Sequence, residues 1–386
     1  MTENSNIGAV ILAAGLSSRM GVCKPLLRLG AMTALERGAG SLKDAGVRDV
    51  VVVTGHDREQ ISPEIRRLGL REAHNPDYRL GMFTSIQTGA RSLPHDVDAF
   101  FVLPVDCALV GPAVAAALTA DYRLCGGYVT YPTCCGRRGH PPLVAARLRA
   151  ALESAPPGSD LRTFLHEHAV SEREVEVDAI SILLDMDTIE DYRRLAMFAE
   201  LIDRRGNAAA TQEPPTSDED ARYLLAALQV EERVIRHCRA VAEVAQTLAE
   251  ALNAGGSRLD LRLVRSAALL HDMAKGHRRH AYAAQDMLTA LGLPALGEAV
   301  GAHMVLPEHQ LDEPCVSESQ VVYLADKIVV EDTPGSLETR TEYALRTYGR
   351  DDASKAAIKR RIRAARTITA KIEAALGRSI EDILAR

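Results

Sequence analysis

Between residues 8 and 194, short runs that are apolar at every position alternate with segments whose apolar residues recur at helical spacing. The runs 50–54 (VVVVT) and 99–104 (AFFVLP) have the length of strands and no polar face, the pattern of strands buried on both sides. Residues 32–45 and 113–120 are amphipathic and predict helices between such strands. The alternation predicts a mostly parallel α/β sheet, whose ligands gather beyond the carboxyl ends of the strands.

The pattern breaks at residues 204–220 (RRGNAAATQEPPTSDED), which are small, polar and proline-bearing, offer almost nothing to bury and read as a linker. From 221 to 386 the strand-like runs disappear. Val234, Cys238, Val241, Val244, Ala245, Leu248 and Leu252 fall on one stripe of period near 3.6, and the region is expected to be all-α. A chain of 386 residues exceeds one typical core. The expected organisation is a first domain at 1–203, a linker at 204–220 and a helical domain at 221–386. Residues 355–386 join a charged face to an apolar one, as a packing or dimerising helix would.

Charge narrows the partners. With 46 Lys and Arg against 52 Asp and Glu, the formal net charge is −6, which argues against a general nucleic-acid binder. No apolar run reaches transmembrane length, and the N-terminus lacks the basic region and apolar core of a signal peptide, so a cytoplasmic protein without a membrane partner is expected. Seven cysteines without C-x-x-C spacing indicate neither a disulfide framework nor a zinc ribbon.

The candidate chemistry begins where the first apolar run ends, in residues 8–27 (GAVILAAGLSSRMGVCKPLL). Val10, Ile11 and Leu12 suit a buried strand, and Ala13, Ala14 and Gly15 let the backbone turn sharply with N–H groups facing a ligand. Ser17, Ser18, Arg19 and Lys24 add hydroxyl donors and two cations, which suits a nucleoside triphosphate and its departing pyrophosphate. Neither the ATPase P-loop nor the G-x-G-x-x-G fingerprint is matched. The order L-A-A-G-x-S-x-R-M-G-x-x-K resembles the signature of the MobA-like nucleotidyltransferases, and its L-A-A-G wording their molybdenum cofactor cytidylyltransferase branch. The resemblance implies a Rossmann-like domain that binds CTP or another NTP through Leu12, Ala13, Ala14, Gly15, Ser17, Arg19 and Lys24, with Arg19 and Lys24 at the reacting phosphates.

A triphosphate site needs a divalent cation, and a carboxylate at the end of a central strand is an economical holder. Asp106, after the apolar run in FFVLPVDCALV, is that carboxylate, and L-P-V-D resembles the family's Mg²⁺-binding motif. ISILLDMDTIEDYRR resembles the family's D-x-D-T-P-E-D element with Ile189 in place of proline, and implies Asp187, with Asp185 as the alternate, as a second metal contact. Asp187 followed by Glu190 also fits a helix capping box. NPDYRLGMFTSIQTGA resembles a cytidylyltransferase element that implies Gly81 and Ser85 beside the nucleotide. GRRGHPPL resembles another element, which implies that His140, helped by Arg137 or Arg138, meets the acceptor phosphate. The family's acceptor is molybdopterin or the molybdenum cofactor, with an apo-molybdenum hydroxylase as the protein awaiting the product.

The helical half carries its own constellation. ALLHDMAK sets His271 beside Asp272 after an apolar helical run, where both can reach one metal. With His237 before it and Asp326 in VVYLADKIV after it, the order resembles the HD phosphohydrolase superfamily. His280 and His303 match the extra histidines of a two-metal subset similar to bacterial diadenosine tetraphosphate hydrolases. That resemblance implies one or two divalent transition metals, Fe, Mn, Co, Ni or Zn, hydrolysis of a phosphate ester or anhydride, and Lys275 facing the phosphate.

Overall fold

The computed structural model describes residues 5–385 except 17–19, 157, 205–216 and 278. The chain divides into two compact units, Met1–Asn207 and Ala208–Arg386. The first holds the strands β1 (Ile7–Ala13), β2 (Arg28–Leu29), β3 (Met32–Thr33), β4 (Asp49–Thr54), β5 (Arg71–His74), β6 (Ala99–Pro104), β7 (Val129–Cys134), β8 (Arg137–Arg138), β9 (Leu143–Ala145) and β10 (Glu172–Glu176). Its main sheet runs β10-β7-β9-β6-β1-β4-β5, with β8 on β7 and β2–β3 a separate hairpin. Pairing is parallel except at β8, at the small hairpin and at β9, which is antiparallel to both of its neighbours.

Every residue of β1 is buried, and the strand pairs in parallel with β4 on one side and β6 on the other, setting Leu12 opposite Val53 and Pro104. The two apolar runs fall in β4 and β6. The segment expected to be helical from residue 32 becomes so only at Ala34, because Met32 and Thr33 pair with β2 and the Thr33 hydroxyl caps the Ala34–Asp44 helix by accepting from the Glu36 N–H. One face of the sheet packs on the Met82–Ser92 helix, where Phe83, Ile86 and Ala90 meet Val10, Val53 and Val102.

The second unit is helical from Asp218–Ala227 to Ile380–Leu384. It departs from the all-α expectation in one small ladder, β11 (Val329–Val330) with β12 (Thr333–Pro334), a tight reversal after the Glu318–Ile328 helix. Residues 217–220, read above as the end of the linker, form a capping box and first helical turn, since the Ser217 side chain accepts from the Asp220 N–H while Asp220 accepts from that of Ser217. The rest of the polar stretch, 205–216, lies outside the described residues.

Gly89 lies where the Met82–Ser92 helix crosses β1, and a Cβ there would overlap the Val10 side chain. Gly89→Ala should therefore destabilise the first unit by about 1–3 kcal/mol, read as a lower urea midpoint for its unfolding.

Candidate active sites

In the first unit, the loop and the carboxylate meet because β1 and β6 are neighbours. The Val105 N–H donates to Leu12 O at 3.2 Å, so the chain leaves both strands at the same level. Beyond them lies a cavity of about 270 Å³, lined by Leu12, Ala13, Ala14, Gly15, Lys24, Ser85 and Asp106, together with Tyr78 and Met82, which the motifs did not single out. Ser17, Ser18 and Arg19 lie outside the described residues. Gly81 does not line the cavity; at φ 115° and ψ 171° it ends one turn and opens the Met82–Ser92 helix, a conformation that favours glycine. Ser85 is held by Asn75, whose amide donates to its hydroxyl at 2.9 Å. The sequence signal for this contact was present in the N-P dipeptide that Asn75 opens.

Lys24 is the hub of this site. Its Nζ lies 3.1 Å from Asp187 Oδ1 and 3.5 Å from Asp106 Oδ2, joining segments 82 and 163 residues away. Asp187 does not close the expected capping box. Thr188 and Asp191 do that one residue later, with the Thr188 N–H donating to Asp191 Oδ2 and the Asp191 N–H to Thr188 Oγ1. Loss of hydration, then the charges of Asp187, Asp106 and Asp191, raise the Asp185 carboxyl above its ordinary range. Three aspartates thus crowd one ammonium, and this oxygen-rich, negative corner fits a hard divalent cation.

The GRRGHP loop reaches the same corner through its backbone, as the His140 N–H donates to Ile182 O at 2.9 Å. Loss of hydration holds the His140 imidazole below its usual pKa, against the raising effect of Asp106. Arg138 is paired with Glu174 at 2.6 Å and Glu172 at 2.8 Å. Arg137 makes no ion pair among the described residues.

In the second unit, six side chains from five segments converge. His237 stands on the Glu232–Ala254 helix, His280 opens the His280–Ala290 helix and Asp326 lies in the Glu318–Ile328 helix. His271 and Asp272 are not mid-helix: His271 caps the C-terminus of Leu261–Leu270 and Asp272 follows in the turn. Two groups form, His237–His271–Asp272 and Asp272–His280–His303, each with its ligand atoms within 4.8 Å of one another and with Asp272 shared. Asp326 Oδ1 lies 3.2 Å from His237 Nε2 and 3.8 Å from His271 Nε2.

The backbone fixes the tautomers. A carbonyl only accepts, so His237, His271 and His303 each carry the proton on Nδ1, donating to Glu331 O at 2.5 Å, Ala268 O at 2.7 Å and Val300 O at 2.6 Å. Their Nε2 lone pairs face the centre. His271 Nε2 is buried with no hydrogen-bond partner among the described residues, the acceptor that a metal would satisfy. Burial lowers the pKa of His271 and His280, and that of His303 to about 3, which keeps them in the neutral, ligating form. Burial opposes the charge on Asp272 and Asp326, yet His271 and Lys275 beside Asp272, and Lys327 and the His237 hydrogen bond at Asp326, hold both carboxyls below their ordinary range.

Cations press in as well. Lys275 Nζ is 2.5 Å from Asp272 Oδ2, Lys327 pairs with Asp326, and Arg340 lies 3.8 Å from Asp326 Oδ1. Two cavities flank the centre. One of about 300 Å³ has Arg340, Arg361, Ile358 and Ile362 in its wall, and one of about 290 Å³ lies on the His237 side; Arg340 and Tyr348 line both. No motif pointed to Arg340, Tyr348 or Arg361, because a lone polar side chain on an amphipathic helix reads as solvated.

The geometry gives an α/β unit with a cavity beyond the carboxyl ends of its central strands and a helical unit with a candidate His/Asp metal centre. Residues 9–173 match the MobA-like NTP transferase domain and residues 234–330 match the HD domain, so the chain carries a nucleotidyltransferase-family domain followed by an HD domain. Part of the chain is 38% identical to the bifunctional IPC transferase and DIPP synthase of Rubrobacter xylanophilus, over 27% of this chain and only 25% of that protein's length. The molybdenum cofactor cytidylyltransferase of Escherichia coli is 28% identical over 49% of this chain and 94% of its own. Among solved structures, Rv0371c of Mycobacterium tuberculosis aligns with 22% identity and a TM-score of 0.44, covering 50% of this chain and 97% of that one. No helix among the described residues is long and apolar enough to cross a membrane.

The buried neutral histidines predict a pH response in the metal-free protein. Their folded pKa values lie below the unfolded value near 6.5, so the unfolded chain binds more protons and stability falls as pH drops from about 6.5 towards 3. Each such histidine contributes a slope of up to about 1.4 kcal/mol per pH unit. Urea midpoints of the second unit between pH 7.5 and 5 should show this slope, and His303→Leu should remove one proton's share of it.

Proposed function

We propose that the first unit transfers a nucleotidyl group from CTP to the phosphate of molybdopterin or its molybdenum-bearing form, releasing pyrophosphate, and that the HD unit hydrolyses a phosphate ester or anhydride. The observation that carries the first part is the Lys24 hub, which joins the loop of β1, Asp106 after β6 and Asp187 in one place. An acceptor phosphate oxygen attacks the α-phosphorus in line, and the bond to the bridging oxygen of pyrophosphate breaks. The amides of Ala13 to Gly15 receive phosphate oxygens, Lys24 offsets charge at the reacting centre, and Arg19 takes the departing pyrophosphate. Asp106 and Asp187, with Asp185 beside them, would hold a magnesium ion that neutralises the triphosphate. His140, next to this corner, orients the acceptor. The molybdenum acceptor is supported by the motif resemblance and by alignment along nearly the whole E. coli enzyme, and an apo-molybdenum hydroxylase would then receive the product.

Pyrophosphate release, measured with each of the four NTPs with and without molybdopterin, should be fastest with CTP and dependent on the acceptor. Asp106→Asn should lower it by about 100-fold or more. Preference for GTP, or equal rates with sugar or alcohol phosphates in place of molybdopterin, would overturn this assignment.

For the HD unit, His237, His271, Asp272, His280, His303 and Asp326 would hold one or two transition-metal ions, which supply an activated water and a Lewis acid for phosphoryl hydrolysis. The donor set, rich in neutral imidazole, favours Fe, Mn, Co, Ni or Zn over Mg. Protein loaded with Mn²⁺ or Fe²⁺ should release phosphate from CTP or cleave a dinucleotide into two nucleotides, and Asp272→Asn should abolish that while leaving pyrophosphate release intact. Nucleotide binding without any turnover would instead make this unit a sensor.

A further inference from the structure

Arg340 and Arg361 belong to the Leu337–Tyr348 and Asp352–Leu376 helices, both beyond the segment that matches the HD domain. We propose that these two guanidiniums form a second phosphate subsite beside the His/Asp centre and select substrates in which the scissile phosphoryl group carries another phosphoryl group through an anhydride oxygen. This rests on the reading of the centre as hydrolytic.

The argument is one of charge and place. Lys275 is committed to Asp272, and Lys327 to Asp326 and to His303 O at 3.0 Å. Asp326 already serves Lys327 and His237, so Arg340 at 3.8 Å is a distant third partner. Arg361 has no ion pair at all among the described residues, although it is only partly exposed and lines the cavity of about 300 Å³ that also contains Asp272, His280, His303 and Asp326. Removing a guanidinium from water without a counter-charge is costly, and its planar donor fork matches phosphate oxygens. Metal ions at the centre would add further positive charge, so the surplus calls for more negative charge than a single phosphodiester brings. An adjacent phosphoryl group supplies it.

Arg340 also lines the second cavity, so it stands where the two meet over the shared Asp272. Met304, Ile358 and Ile362 make part of the first cavity apolar, which suits an organic substituent on the anhydride rather than inorganic pyrophosphate. In the hydrolysis, the oxygen of water bonds to one phosphorus and the bond from that phosphorus to the bridging oxygen breaks. The bridging oxygen keeps the electron pair and leaves with the second phosphoryl group, while the protons of water pass to the phosphate products and solvent. Arg361 and Arg340 hold the leaving phosphoryl group as its charge grows.

The test uses the full-length protein loaded with Mn²⁺, as wild type, Arg361→Ala and Arg361→Lys, all checked for unchanged urea midpoints. Equilibrium binding is measured for methylenediphosphonate, a non-hydrolysable doublet, and for methylphosphonate, its single counterpart. The transferase unit is the same in all three proteins, so differences report the helical unit. Arg361→Ala should weaken the doublet about tenfold or more, change the single phosphonate by less than about twofold, and be partly rescued by lysine. In turnover, the loss should fall on CTP and not on p-nitrophenyl phosphate. Equal losses for both ligands, or none for either, would overturn the proposal. If no phosphoryl compound is turned over by wild type but the Arg361-dependent difference in binding persists, the subsite stands and the hydrolytic reading falls. If Arg361→Ala does not fold, the same comparison made with Arg361→Lys and Arg361→Gln decides the matter.

Discussion

Everything in the first unit depends on β1 being a fully buried strand between two parallel neighbours. Its apolar run can be hydrogen-bonded and covered only in the middle of a sheet, with β4 on one side and β6 on the other. Because the chain proceeds from β1 to β4 and β5 on one side and then returns to β6 on the other, the direction of sheet growth reverses at β1, and a crevice opens beyond its carboxyl end. The Gly15 loop and Asp106 are both delivered there. Lys24 then draws in Asp187 from a segment that the sheet alone does not position.

The helical unit solves its problem with helix ends rather than strand ends. The Ala268 and Val300 carbonyls lie three residues before His271 and His303, in the last turn of helices whose later carbonyls lack intrahelical donors. Each accepts a hydrogen bond from the imidazole Nδ1–H and so turns Nε2 inward. The same local feature therefore satisfies the backbone and fixes two candidate ligands.

What was legible in the sequence follows from how distinctive each signal is. The runs in β4 and β6 stood out because burial on both faces leaves no polar position, whereas β10 reads EREVE and alternates between exposed and half-buried, so it looks like a charged loop. The order His237, His271–Asp272, His280, His303, Asp326 was visible because such residues are rare in apolar contexts. The Asp187–Glu190 spacing suggested a cap, yet the structure caps one residue later, since the Thr188 hydroxyl and the Asp191 carboxylate make the better reciprocal pair. Arg340 and Arg361 were invisible because their helices are amphipathic throughout, and only tertiary packing separates an arginine facing a cavity from one facing water.

The two sites differ in their chemistry before any ligand arrives. Around Lys24 the donors are three carboxylates and one ammonium, an excess of hard negative oxygen. Around Asp272 they are four imidazoles held neutral or oriented by carbonyls, two carboxylates, and at least as many cationic side chains. Neutral nitrogen donors hold transition metals well and magnesium poorly, while a carboxylate corner open to water suits magnesium. Donor type alone would thus keep the two proposed metal sites apart in a single chain. The same contrast separates their ligands. The first corner needs a cation before it tolerates a triphosphate, whereas the second already carries surplus positive charge, and any metal it holds deepens its demand for an anion with more than one phosphate.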